Sequence, residues 1–180
     1  MLESLCVFCG SRPGTHSAIL DAATELGSAL AARNVSLVYG GGHVGIMGVL
    51  ADAVLAAGGK VTGVIPDSLV KREVAHPGVE DMRVVVSMHT RKAMMSELAD
   101  GYAALPGGLG TFEELFEVLT WKQLGFHGKP IAALNVNGYF DPLIQMLDRA
   151  VDDGFMKPEC RDFLHIANTV PELLEYFKIA

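Results

Sequence analysis

The residues best suited to chemistry lie in one stretch, Pro106-Gly107-Gly108-Leu109-Gly110-Thr111-Phe112-Glu113-Glu114, which sets a glycine loop, a hydroxyl and two carboxylates side by side. Glycines without Cβ atoms let main-chain N–H groups approach an anion closely. A helix starting there would add unpaired donors and a partial positive charge, so a phosphorylated ligand beside an acid is the first expectation. Thr111-Phe112-Glu113-Glu114 also reads as a T-x-x-E capping box, in which Thr111 and Glu114 only satisfy backbone donors. A simple cap needs neither the proline nor the three glycines. Glu114, one turn beyond Thr111, is the catalytic candidate, whereas Glu113 and Glu117, four apart, are expected to form an exposed acidic edge.

A second chemical group is Met88-His89-Thr90-Arg91-Lys92, which opens a helical pattern and places two cations where the macrodipole favours anions. An anionic ligand or a nearby carboxylate would offset that conflict. Arg91 offers a planar fork for phosphate and Lys92 a flexible point charge, while projection of both into water is the plain alternative. Two further loops carry small residues: Cys9-Gly10-Ser11-Arg12, and Gly40-Gly41-Gly42-His43-Val44-Gly45. The latter satisfies G-x-G-x-x-G through Gly40, Gly42 and Gly45, but it follows the second strand, and the acid after the next strand is Asp67 behind Pro66. A mononucleotide held between two loop systems explains it better than a dinucleotide. Cys6-Val7-Phe8-Cys9 matches C-x-x-C, yet it lies in the first strand, where residues three apart face opposite ways, and no second pair accompanies it. The histidines show no metal-ligand spacing and no G-x-S-x-G elbow is present, which leaves metal-free acid/base chemistry without a cofactor.

The elements that must position these groups are legible as alternation. Apolar runs at 5–8, 35–39, 61–65, 84–86, 102–105 and 131–134 are short enough for strands buried on both faces. Helical patterns separate them at 17–32, 45–57, 90–98, 111–124 and 141–151, with a last short one at 171–177. Strict alternation predicts an α/β fold, a doubly wound (Rossmann-like) parallel sheet flanked by helices, in one domain over residues 1–180. Ligands in such folds collect beyond the carboxyl ends of the strands, where the three glycine-bearing loops converge.

The 180 residues, half of them hydrophobic, with a mean hydropathy of +0.32, suffice for one substantial core. A net charge of −7 and a pI near 5.3 argue against a nucleic-acid or anionic-membrane surface. The uncharged run 34–51 contains five glycines and reads as strand, turn and helix start rather than a membrane span. Three cysteines make no even disulfide framework, and no basic-then-apolar leader opens the chain, so a cytoplasmic setting is expected.

The two chemical segments carry a resemblance. Pro106 to Glu114 fits P-G-G-x-G-T-x-x-E, and Met88-His89-Thr90-Arg91-Lys92 fits its companion, both as found in the LONELY GUY family of cytokinin riboside 5′-monophosphate phosphoribohydrolases. The likeness extends from Cys9-Gly10-Ser11 through Tyr39-Gly40-Gly41-Gly42 and Leu119-Thr120-Trp121 to Asn135-Val136-Asn137-Gly138-Tyr139-Phe140, most of the chain. It implies hydrolysis of the N-glycosidic bond of an adenosine-type 5′-monophosphate to free base and ribose 5-phosphate. Arg91 and Glu114 match the family's catalytic pair. Glu73, Arg91, Lys92, Gly108, Leu109, Gly110, Thr111, Phe112, Glu113, Glu114 and Thr120 match substrate-contacting positions, although sequence physics alone leaves Glu73 in a solvated cluster. Ser11, Gly41, Gly42, Met88 and Gly107 are expected to extend the phosphate and ribose loop. The resemblance also implies a homodimer with sites near its interface. A general nucleoside 5′-monophosphate nucleosidase acting on AMP, and a non-catalytic nucleotide or molybdenum-cofactor carrier, are the competing readings.

Overall fold

The computed structural model describes residues 2–70 and 75–179. Seven parallel strands, β1 (Ser4–Phe8), β2 (Ser36–Tyr39), β3 (Val61–Pro66), β4 (Asp81–Val85), β5 (Gly101–Ala104), β6 (Ile131–Leu134) and β7 (Leu164–Ala167), form one sheet in the order β4-β3-β2-β1-β5-β6-β7. The connecting helices are α1 (Ser17–Ala32), α2 (Gly45–Ala56), α3 (Asp67–Leu69), α4 (Met88–Leu98), α5 (Leu109–Gln123), α6 (Asp141–Asp152), α7 (Pro158–Arg161) and α8 (Val170–Tyr176).

Burial on both faces explains why the strands read as unbroken apolar runs. Leu5, Val7 and Cys9 pack with Leu26 and Leu30 of α1, Leu50 and Val54 of α2 and Leu173 of α8. The intervening Cys6 and Phe8 face Met95 of α4, Leu115 and Val118 of α5 and Leu147 of α6. The two cysteines of C-x-x-C therefore point to opposite sides of the sheet, each buried as a small apolar filler. The sheet winds outward in both directions from β1, so β1 and β5 flank the point where the chain reverses its direction of winding, and beyond their carboxyl ends, still joined by Leu105 N–H to Phe8 O and Gly10 N–H to Pro106 O, the connecting loops leave a crevice.

Differences from the sequence reading concentrate at the sheet edges. β4 begins at Asp81 rather than Val84, because an edge strand tolerates solvated side chains; Asp81 there pairs with Arg83 at 2.6 Å and accepts from Thr62 Oγ1 at 2.8 Å. β7 was hidden by its composition, since His165 interrupts its apolar run, and that ring stacks on Tyr176 with centroids 4.1 Å apart. No helix of the described residues is long and apolar enough to cross a membrane.

Candidate active site

A cavity of about 230 Å³ opens in the crevice, walled by the end of β1, by Gly40 just after β2, by Leu69 of α3 and by α2, α4 and the start of α5. Each helix treats its first turn differently. At α2, Gly10 O accepts from both Ile46 N–H (3.0 Å) and Met47 N–H (3.3 Å), so these donors are occupied by the protein itself. Gly45, at φ +65°, lies so close to the Ser11–Arg12 peptide that a Cβ would fall 2.3 Å from the Ser11 carbonyl carbon. The second glycine loop thus serves chain packing, and the dinucleotide pattern has no open helix terminus to go with it. At α4, Ser87 Oγ accepts from Thr90 N–H at 3.1 Å. At α5 the N-cap is Gly108, which has no side chain to cap with, and the first helical bond is Phe112 N–H to Gly108 O. The amides ahead of Phe112 have no intrahelical acceptor, and Gly108, Leu109, Gly110 and Thr111 line the cavity.

Because α5 starts at Leu109, Thr111 is its third residue and not its cap. The capping box is not formed. Thr111 and Glu114 instead turn inward on one helical face, both buried and both on the cavity wall. Opposite them, buried Arg91 is held by main-chain carbonyls: Nε donates to Val64 O at 3.0 Å and Nη2 to Gly40 O at 2.8 Å, with Nη1 3.8 Å from Met88 Sδ. Gly40 is required for this, since a Cβ there would lie 2.0 Å from Nη2. Charge-assisted bonds to the body of β3 and to the residue just after β2 fix the guanidinium beside the cavity.

Lys92 takes another path. Its Nζ is buried and bonds Glu113 Oε1 at 2.6 Å and Glu117 Oε1 at 3.0 Å. The two carboxylates expected as an exposed edge therefore clamp a lysine. Burial alone would lower the Lys92 pKa, but the two carboxylates outweigh it and the net shift is upward. The nearby thiols move the same way: burial first, then the Glu114 charge, push Cys6 and Cys9 well up, and Arg91 opposes this in part.

Of the residues singled out in the sequence, Ser11, Met88, Arg91, Gly108, Leu109, Gly110, Thr111 and Glu114 meet at this cavity. Gly107 lies on an adjoining cavity of about 540 Å³, with Arg12, Ile19, Ile46 and Tyr139. Gly41 and Gly42 are engaged elsewhere, Gly41 O accepting from His76 N–H and Gly42 bridging Ala75. Phe112 stacks on Tyr139 at 6.4 Å. Thr120 is exposed and returns its hydroxyl to Phe116 O at 2.7 Å. Glu73 lies outside the described residues. Sequence reasoning placed the Cys9-Gly10-Ser11 turn here but passed over Met47 and Leu69 as wall residues, for their types carry no chemical signal.

Residues 47–177 match the family described as possible lysine decarboxylase. The chain is 48% identical over 171 residues, 95% of its length and 80% of the relative's, to the Arabidopsis thaliana cytokinin riboside 5′-monophosphate phosphoribohydrolase LOG3. It is 51% identical over 170 residues, covering 94% and 75%, to the probable enzyme of the same name LOGL9 of Oryza sativa subsp. japonica. Among solved structures, the molybdenum cofactor carrier protein of Chlamydomonas reinhardtii superposes with a TM-score of 0.75 at 22% identity, covering 99% of this chain and 97% of that one. At that identity the superposition speaks for the fold alone. Matching over most of its length a family labelled for decarboxylation, and relatives named for cleaving a nucleotide, the chain belongs to the LONELY GUY family.

Proposed function

We propose that this protein hydrolyses the N-glycosidic bond of adenosine-type 5′-monophosphates, N6-modified ones included, releasing free base and ribose 5-phosphate. The observation that carries the reading is the meeting, in one cavity, of the uncapped α5 terminus with Arg91 and the buried Glu114 carboxylate. The α5 amides and Gly108–Thr111 suit the phosphate. Breaking the C1′–N9 bond develops oxocarbenium character on the ribose, which Glu114 stabilises or meets by activating the attacking water. The bonding electrons leave on the base, and Arg91, fixed by Val64 O and Gly40 O, anchors the phosphate or assists that departure. The relatives at about half identity carry this activity in their names, which supports it over the carrier reading.

The test is to incubate the purified protein with isopentenyladenosine monophosphate and with AMP, and to quantify base and ribose 5-phosphate chromatographically. Release should fall by roughly two to four decades in Glu114→Gln, the scale of an acid/base group, and disappear in Arg91→Ala. Intact nucleotide with measurable binding would instead favour a carrier. The ratio of the two rates separates a cytokinin-type enzyme from a general AMP nucleosidase.

We also infer a homodimer. Thr120 sits on the exposed face of α5, away from its own chain's cavity, and Val86, Leu109 and Phe126 expose apolar side chains. A partner site that takes Thr120 would account for its match to a substrate-contacting position. The free thiols of Cys6, Cys9 and Cys160 support a reducing, cytoplasmic setting.

A further inference from the structure

We propose that Tyr139 is a positioning residue that locks the Gly107–Gly108 peptide with its N–H turned to the anion site. This rests on the reading of the α5 terminus as the phosphate site. Tyr139 reaches the loop from the turn after the carboxyl end of β6, which Asn135 fastens: its Nδ2 donates to Asp141 Oδ1 at 2.8 Å and its Oδ1 accepts from Phe140 N–H at 2.7 Å. The Tyr139 ring is stacked on Phe112 and set edge-on to Phe140 at 5.1 Å, and its hydroxyl donates to Gly107 O.

Gly107 and Tyr139 line the larger cavity and not the smaller, whereas Gly108 lines both. In a trans peptide the C=O and the following N–H point in opposite directions. Holding Gly107 O on the Tyr139 side therefore turns Gly108 N–H away from it, toward the smaller cavity. The preceding peptide is held as well, by Gly10 N–H on Pro106 O at 3.1 Å. A lock is needed because the peptide joins two glycines. Its flip would carry Gly108 from φ −100° to about +80°, which glycine accepts and an L-residue resists. The flipped state would present a carbonyl oxygen to the phosphate where a donor belongs.

The experiment is calorimetric binding of ribose 5-phosphate and of inorganic phosphate, with adenosine as the phosphate-free control, to the parent and to Tyr139→Phe. The phenylalanine keeps both ring contacts and loses only the hydroxyl. Affinity for the two phosphates should fall about tenfold, the scale of one hydrogen bond to a charged group, with adenosine affinity and melting temperature unmoved. The same pair is then compared in a Gly108→Ala background. A Cβ at Gly108 meets nothing within 4 Å, and alanine resists the flip by itself, so Tyr139→Phe should cost less than about threefold there. Equal phosphate affinity in parent and Tyr139→Phe, or an equal loss in both backgrounds, overturns the lock while leaving the site intact. A parent that binds adenosine but neither phosphate overturns the site itself, and the lock with it.

Discussion

Replacing Gly40 by alanine should disable Arg91 without altering its charge or substituting any ionisable residue. A Cβ at Gly40 would sit 2.0 Å from Nη2, 3.2 Å from Cζ and 3.3 Å from Met47 Sδ, where ordinary contact begins near 3.4 Å. The guanidinium must retreat by about 1.4 Å, from 2.0 Å to 3.4 Å, and surrender its 2.8 Å bond to Gly40 O. An arginine tip is normally free to swing aside, but this one is buried and its Nε is held by Val64 O. A catalytic group misplaced by about 1 Å costs roughly 10²-fold in rate, and one lost charge-assisted bond costs about 1.5–3 kcal/mol of stability. Gly40→Ala should therefore lose about two decades of turnover on AMP and isopentenyladenosine monophosphate, with a melting temperature lowered by several degrees and an unchanged circular dichroism spectrum. Turnover within threefold of the parent would refute the reasoning, since it would mean that the observed placement of Arg91 does not matter to the reaction.

Three further outcomes follow from the structure. Lys92→Met should destabilise the protein by about 2 kcal/mol, the scale of removing one partner from a buried charge pair, and adding Glu117→Gln should recover part of it in urea melts; the raised Lys92 pKa means its contribution is intact at neutral pH and is lost only as pH climbs past about 10.4 and through the folded-state value. Asp100 Oδ2 accepts from Glu3 N–H, Ser4 N–H and Ser4 Oγ, and although burial opposes it, these bonds hold its pKa below the usual carboxylate value. Its contribution is complete above about pH 4 and lost as pH falls through the lowered value, so Asp100→Asn should narrow the gap between melting temperatures at pH 7 and pH 3, and an unchanged gap would remove it from the acid response. Iodoacetamide at pH 8 should modify the partly exposed Cys160 alone in the folded protein and all three thiols in urea, because Cys6 and Cys9 are buried with raised pKa values; rapid native labelling of either would contradict that packing.

The five interior strands were readable because burial on both faces leaves a run such as Leu5-Cys6-Val7-Phe8 with no polar interruption. The edges were not: β4 is half solvated, and β7, as long as β2, β5 and β6, has His165 breaking its apolar run and only its two end residues buried. Within the site, the glycine loop and Arg91-Lys92 announced themselves by residue type, and their partners did not. Thr111 and Glu114 fit a capping box by spacing alone, and only the start of α5 at Leu109, fixed by how Gly108 follows β5, shows that the box is not made. The divergent fates of Arg91 and Lys92 depend on carbonyls 27 and 51 residues away and on carboxylates one helix over, distances that no local pattern encodes. Tyr139 is quieter still, for it acts through one hydroxyl on a carbonyl 32 residues earlier.

The double use of Gly10 O by Ile46 and Met47 has a mechanical side. One oxygen at the tip of the central strand carries the first turn of α2, so the β1 end and α2 move as a single stiff jaw. The opposing jaw, the head of α5 with Leu109 87% exposed, has no such rivet at its first amides. The asymmetry of the crevice therefore lies in its donors and not in its stiffness, since the approach to α5 is itself held by Gly10 N–H on Pro106 O and by the Tyr139 hydroxyl on Gly107 O. A nucleotide arriving there would meet one jaw whose first amides are already spent and one whose first amides have no acceptor in their own helix, so its phosphate is drawn to the α5 side without either jaw having to move.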